Sequence, residues 1–156
     1  MNTINNILKL EDEVAIIEAI GSLIWEKKEA TEDFSALTDE EKVFVFIDIF
    51  EGAMGEGGLH FFFTSESGNF VEEIITSYQE IKAPKTAELI ANAVKIFPKT
   101  YTVELEERQA LIAKAEEEIL SGWEDLDELF FTNESEEDVV TLIVDYIKAN
   151  ESQFGR

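Results

Sequence analysis

The sequence contains no cysteine, one histidine, two prolines and eight glycines in 156 residues. Without cysteine there is no disulfide framework and no thiolate chemistry. With His60 as the lone histidine, a zinc site of the common type does not form within one chain. So few helix breakers leave room for long helical periods. Basic residues are scarce as well: twelve Lys and Arg stand against thirty-five Asp and Glu, a net charge of −23. Met1 to Leu10 carries one lysine and no long apolar run, unlike a secretory signal. The most apolar stretch, Val43 to Phe50, is too short to cross a bilayer. A cytoplasmic location and no membrane contact are therefore expected.

What is present suits a globular fold. The hydrophobic fraction of 45% is ordinary, and twelve phenylalanines supply much of a core. The length fits a single domain over residues 1–156. Apolar periodicity predicts helices almost throughout. Glu11 to Glu29 has a broad face of Val14, Ile17, Ile20 and Ile24. Thr38 followed by Glu41 forms a capping-box pattern. The helix after it, Asp39 to Met54, is apolar nearly all round and is expected to be the buried central helix. The glycines at 55–58 read as a break, followed by short turns over Leu59 to Thr64 and Ser65 to Asn69. Further helices are predicted over Phe70 to Ile81 and Pro84 to Phe97. A longer one is capped by Thr102, carries Leu105, Ile112, Ala115 and Ile119, and stops near Gly122. Trp123 to Phe131 reads as a short amphipathic piece. Ser135 with Asp138 starts a last helix using Val139, Val140, Ile143, Val144 and Ile147. The expectation is an all-α, compact domain of about seven to eight helices.

The acids are unevenly placed. Between Lys42 and Lys82 there is no lysine or arginine but seven acids: Asp48, Glu51, Glu56, Glu66, Glu72, Glu73 and Glu80. Between Lys114 and Lys148 twelve acids stand without a base: Glu116, Glu117, Glu118, Glu124, Asp125, Asp127, Glu128, Glu134, Glu136, Glu137, Asp138 and Asp145. Such one-signed windows differ from a surface laced with i, i+4 ion pairs. Asp39 to Glu41 and Glu136 to Asp138 are read as first-turn acids, favoured by the helix macrodipole. Glu116 to Glu118 are read as lying toward the C-terminal end of their helix, where the macrodipole opposes them. Breaking a local rule points to a partner surface. The candidate partner-binding residues are Glu116, Glu117, Glu118, Glu124, Asp125, Asp127, Glu128, Glu134, Glu136, Glu137 and Asp138.

The field of such a chain repels nucleic acid and anionic membranes and attracts basic protein surfaces. Duplex DNA carries about one charge per 1.7 Å of axis. A helix with an acid at every third residue carries about one per 4.5 Å. One helix is too sparse to imitate DNA, so imitation requires acids from several helices, or from two subunits, on one face. Catalytic, cofactor and metal residues are not identified. No Ser/His/Asp constellation or phosphate loop is visible. Asp125-Leu126-Asp127 begins like a calcium loop, but Leu129 and Phe130 replace the third ligand and the required glycine. His60 beside Glu56 reads as a surface or structural histidine rather than half of an acid–base pair.

The stretch Glu56 to Gly68, EGGLHFFFTSESG, resembles the signature of a bacterial family of small helical domains known for an acidic DNA-mimic protein. Gly57, Gly58, Phe62, Phe63, Ser67 and Gly68 match the pattern. Glu56, Leu59, Phe61, Ser65 and Glu66 depart from it: Glu56, Phe61 and Ser65 replace its amides, and Leu59 and Glu66 its Phe and Ser. The resemblance covers roughly residues 38–98. The residues themselves point to a structural motif: glycines for unusual backbone or close approach, Phe62 and Phe63 in the core, and Ser67 or Asn69 as a cap for the next helix. The resemblance implies an acidic, dimeric protein that occupies the DNA-binding surface of a transcriptional regulator. Three functions remain open: a binding domain for a basic protein, including an immunity-type inhibitor of a basic toxin; a carboxylate-based enzyme; and an accessory domain whose acidity only solubilises it.

Overall fold

The computed structural model describes residues 3–133 and 136–155. These residues form eight α-helices: α1 Thr3–Leu8, α2 Glu13–Lys28, α3 Asp39–Thr64, α4 Val71–Glu80, α5 Pro84–Lys95, α6 Leu105–Lys114, α7 Glu116–Phe131 and α8 Val139–Ala149. Short 3-10 turns over Glu66–Phe70 and Glu151–Gln153 complete the regular structure, and the described residues contain no strand. All eight helices send side chains into one hydrophobic core. The all-α expectation holds, and α3 is its centre. Phe44, Val45, Phe46, Ile47 and Phe50 of α3 are all buried. α3 packs against α2, α4, α6 and α7.

The N-terminus of α3 is fixed by the expected capping box. Thr38 Oγ1 accepts from Glu41 N at 3.1 Å, and Glu41 Oε1 accepts from Thr38 N at 2.9 Å. The fully buried Glu41 carboxylate also pairs with Lys27 Nζ at 2.6 Å and accepts from Gly155 N at 2.9 Å. Burial pushes its pKa up. Lys27 and the two backbone N–H groups outweigh that and hold it below the usual range. One carboxylate thus ties α2, α3 and the chain's last turn together.

Several boundaries differ from the pattern reading. The glycines at 55–58 do not end a helix; α3 continues to Thr64 through a kink at Gly57 and Gly58. Gly58 has φ +68°, a region that favours glycine. Asp127 Oδ1 accepts from Leu59 N at 2.9 Å and caps the second arm of α3. The predicted helix from Thr102 to Gly122 is two helices. Glu104, not Thr102, caps α6 through Glu106 N and Glu107 N. The chain breaks at Ala115 because α6 lies on α3 and the first 3-10 turn, whereas α7 crosses α3 and α5. Gly122 sits inside α7, where Ile96 packs so closely that a Cβ would lie 2.7 Å from its Cδ1. Asp138 caps α8 through Thr141 N at 3.1 Å. The expected role of Ser135 lies outside the described residues. Ser67 and Asn69 do not cap α4, which has no side-chain cap.

Those two residues serve Arg108 and its turn instead. Arg108 is fully buried. Its guanidinium donates to Phe63 O at 2.6 Å, Ser65 O at 2.7 Å, Asn69 Oδ1 at 3.0 Å, Val103 O at 3.1 Å and Thr102 O at 3.2 Å. Ser67 Oγ donates to Phe62 O at 2.9 Å, and Tyr101 Oη donates to Gly68 O at 2.5 Å. A Cβ on Gly68 would lie 3.0 Å from Arg108 Nη2 and from Phe62 O. Arg108→Leu is expected to strip these acceptors of their donor and cost about 3 kcal/mol or more in urea denaturation. Gly68→Ala should cost about 1–3 kcal/mol by crowding the same site. Arg108→Lys should not restore stability, because an ammonium does not span the fork of acceptors.

Candidate functional site

α7 starts at Glu116, so Glu116, Glu117 and Glu118 form its first turn rather than the end of a preceding helix. The macrodipole favours them there, and the supposed violation of helix electrostatics is removed. All three are exposed, as are Glu124, Asp125 and Glu128. Glu117, Glu124 and Glu128 stand in one line at spacings of seven and four residues, with Glu118 and Asp125 beside it. Ile119 and Trp123 point the opposite way into the core. This is a solvated acidic stripe on a single helix.

The remaining candidates separate. Asp127 turns inward to the Gly58 kink, and burial raises its pKa, with Glu124 adding to the rise and the Leu59 N–H opposing it. Glu137 does not lie in the first turn of a helix. It caps α5 from outside: Oε2 accepts from Lys85 N at 3.0 Å and Oε1 from Thr86 N and Thr86 Oγ1, each at 2.7 Å. Glu136 precedes α8 with φ +56°, and Asp138 is that helix's N-cap. Glu134 lies outside the described residues. The second acidic window is therefore partly a set of caps.

Acids from three helices do converge elsewhere. Asp39, Glu40, Lys42, Val43 and Phe46 of α3, Glu72, Glu73, Thr76 and Glu80 of α4, and Tyr146 of α8 line one groove of about 540 Å³. It runs into a second hollow of about 420 Å³ through the shared Glu40, Glu80 and Tyr146, which adds Asp145 and Lys82. Six carboxylates thus face two lysines over a floor of Val43, Phe46 and Tyr146. Burial and the negative charges of Glu40, Glu80 and Asp39 push the Tyr146 phenol up to about 12. Burial and Glu72 raise Glu73. The first base-free window contained Glu72, Glu73 and Glu80, and the seven-residue spacing of Glu73 and Glu80 was a readable signal. Their approach to α8 was not.

A separate groove of about 540 Å³ lies among α3, α5 and the α7–α8 connection, lined by Glu51, Leu89, Phe130, Phe131, Val139 and Val140 among others. Burial drives Glu51 up to about 7; the Tyr78 hydroxyl beside it opposes the rise and Asp48 adds to it. His60 is exposed. Among the described residues no three His, Cys, Asp or Glu side chains are grouped to hold a metal ion, and no helix is long and apolar enough to cross a membrane.

A family model described as DMP19-like protein matches residues 35–150, more than two thirds of the chain. No curated protein and no solved structure matches. The match begins just before the α3 capping box and takes in the Arg108 turn, the three-helix groove and the α7 stripe.

Glu51 makes stability depend on pH. Below the ordinary carboxyl value of 4.5 the group is protonated whether the chain is folded or not. From there to about 7 the folded chain keeps a proton that the unfolded chain has lost, so stability falls as pH rises. Glu51→Gln should therefore stabilise the protein by about 1–3 kcal/mol at pH 8, and the gain should vanish below pH ~4.5 in paired denaturation curves.

Proposed function

This chain belongs to the DMP19-like protein family, and we propose that it acts as an acidic protein-binding domain, a DNA mimic that occupies the basic surface of a nucleic-acid-binding protein such as a transcriptional regulator. The observation that carries this reading is the convergence of Asp39, Glu40, Glu72, Glu73, Glu80 and Asp145 from α3, α4 and α8 on one groove. A single helix is too sparse in charge to imitate a duplex; a face built from three helices relieves that limit. The apolar floor offers a partner an anchor that DNA does not, which turns electrostatic attraction into specific docking.

The resemblance of the Gly57 to Gly68 motif to the DNA-mimic family and the match over residues 35–150 both support the proposal. Sparse ion pairing among the described residues supports it too. Two ion pairs join described residues, and one of them is a 3.9 Å contact between Lys42 and its neighbour Asp39. A regulator is met in the cytoplasm, and a second copy of the chain would extend the acidic face. An immunity-type contact with a basic toxin uses the same physics. The geometry offers less to a carboxylate enzyme. Glu51 and Glu73, raised above their ordinary range, line different grooves, and Glu137 uses both oxygens on α5.

Capture from native lysate should recover a basic nucleic-acid-binding protein at low salt and much less at moderate salt. Neutralising Glu72, Glu73 and Glu80 together to Gln should weaken that complex by about tenfold or more with the circular dichroism unchanged. The same change at Glu117, Glu124, Asp125 and Glu128 should have the smaller effect. Recovery of no basic protein at low salt would sink the proposal. A larger loss from the α7 variant would move the contact face to that stripe.

A further inference from the structure

We infer that the groove among α3, α5 and the α7–α8 connection is a socket for one guanidinium, an arginine side chain presented by the protein partner. The inference rests on the acidic-binding reading above and names a contact that the reading does not. Its volume of about 540 Å³ falls in the range of ligand sites, about 300–1,000 Å³. Leu89, Phe130, Phe131, Val139 and Val140 give it apolar walls. Phe131 is 58% exposed, an aromatic face left open to solvent at the rim. Phe130 and Phe131 meet edge to face at 5.3 Å, and Phe130 is braced from behind by Phe50 at 5.5 Å.

The polar part of the groove is incomplete. Glu51 lines it and makes no ion pair with any described residue. The Tyr78 hydroxyl is fully enclosed outside the groove lining, with Glu51 beside it but not in ordinary hydrogen-bond geometry, and it carries no charge to offset the carboxylate. A desolvated carboxylate without a countercharge is costly. An external cation removes that cost directly by neutralising Glu51. An anion would instead meet Glu51, Glu137 and Asp138.

The walls select among cations. A guanidinium is planar, weakly hydrated and able to stack on an aromatic face while its edge donates to a carboxylate. An ammonium is compact and strongly hydrated, and gains less from Phe130 and Phe131. The methylene stem of an arginine would lie along Leu89, Val139 and Val140, as long basic side chains do on apolar surface.

The test uses the full chain and a blocked arginine amide, followed by chemical shifts of the groove methyls of Leu89, Val139 and Val140. The expected result is saturable, weak binding with shifts confined to these groups and to the Phe130 and Phe131 rings. Glu51→Gln, which keeps the shape of the side chain, should weaken it by about tenfold. Phe131→Ser, at the exposed rim, should weaken it as well and guards against any folding effect at Glu51. The neutral citrulline amide should leave the groove unshifted, and the lysine amide should bind less well. Equal binding by citrulline or lysine, unchanged binding to Glu51→Gln, or shifts spread over the whole acidic surface would each overturn the socket. If the probe binds as expected while no basic protein is captured from lysate, the binding function fails and the socket stands. If a partner is captured and Glu51→Gln leaves its affinity intact, the socket fails alone.

Discussion

The Arg108 guanidinium donates to Phe63 O, Ser65 O, Thr102 O, Val103 O and Asn69 Oδ1, and these acceptors come from three places in the chain. Phe63 O lies in the last turn of α3 and Ser65 O at its C-cap, the helix end where the macrodipole is negative and a cation is favoured. One belongs to the turn that launches α4, and two to the strap leading into α6. A buried charge is normally costly, and burial does lower the Arg108 pKa. Here every direction of the fork finds an oxygen, and Tyr101 lies against the guanidinium at 5.6 Å. The recurring Ser67 and Gly68 gain a physical meaning: one closes the turn on Phe62 O, and the other leaves the room that the guanidinium fills.

Both acidic surfaces depend on this knot. α4, which carries Glu72, Glu73 and Glu80, begins where the turn ends. α6 starts three residues before Arg108, and α7 with its stripe follows after the break at Ala115. Holding like charges together in a chain of net −23 works against compactness. The opposing term is the aromatic core. Phe63 stacks on Trp123 at 4.8 Å and meets Phe62, Phe97 and Tyr101 edge to face, all within the region that Arg108 fastens. The acids are thus displayed by a core and the buried Arg108, rather than by ion pairs with neighbouring bases.

The helical class, the central α3 and its capping box were legible because they follow from local periodicity and from one reciprocal contact three residues apart. The glycine kink was legible as an interruption but not as a continued helix, since its completion needs Asp127 from sixty-eight residues away. Gly122 was misread because a packed Ile96 decides whether a glycine ends a helix or lies against a neighbour, and Ala115 because the break there goes with α6 and α7 packing on different neighbours. That error also supplied the main reason for singling out Glu116 to Glu118. Glu137 looked like a first-turn acid and proved to be a remote cap for α5. The three-helix groove was half visible, in the spacing of Glu73 and Glu80 on α4. Its other walls depend on how α3 and α8 approach, which no single-helix pattern records. Arg108 gave no local signal: one arginine among acids reads as a surface residue until its acceptors are seen.

The functional account asks the α3, α4 and α8 face to occupy the place of a nucleic-acid backbone on a basic partner. The most direct measurement is competition. A labelled DNA duplex bound to the regulator captured from lysate is titrated with this chain while anisotropy reports the bound DNA. The account predicts complete displacement of the duplex as the chain approaches one equivalent per site. A stable ternary complex, with the duplex still bound while the chain is also bound, would contradict it.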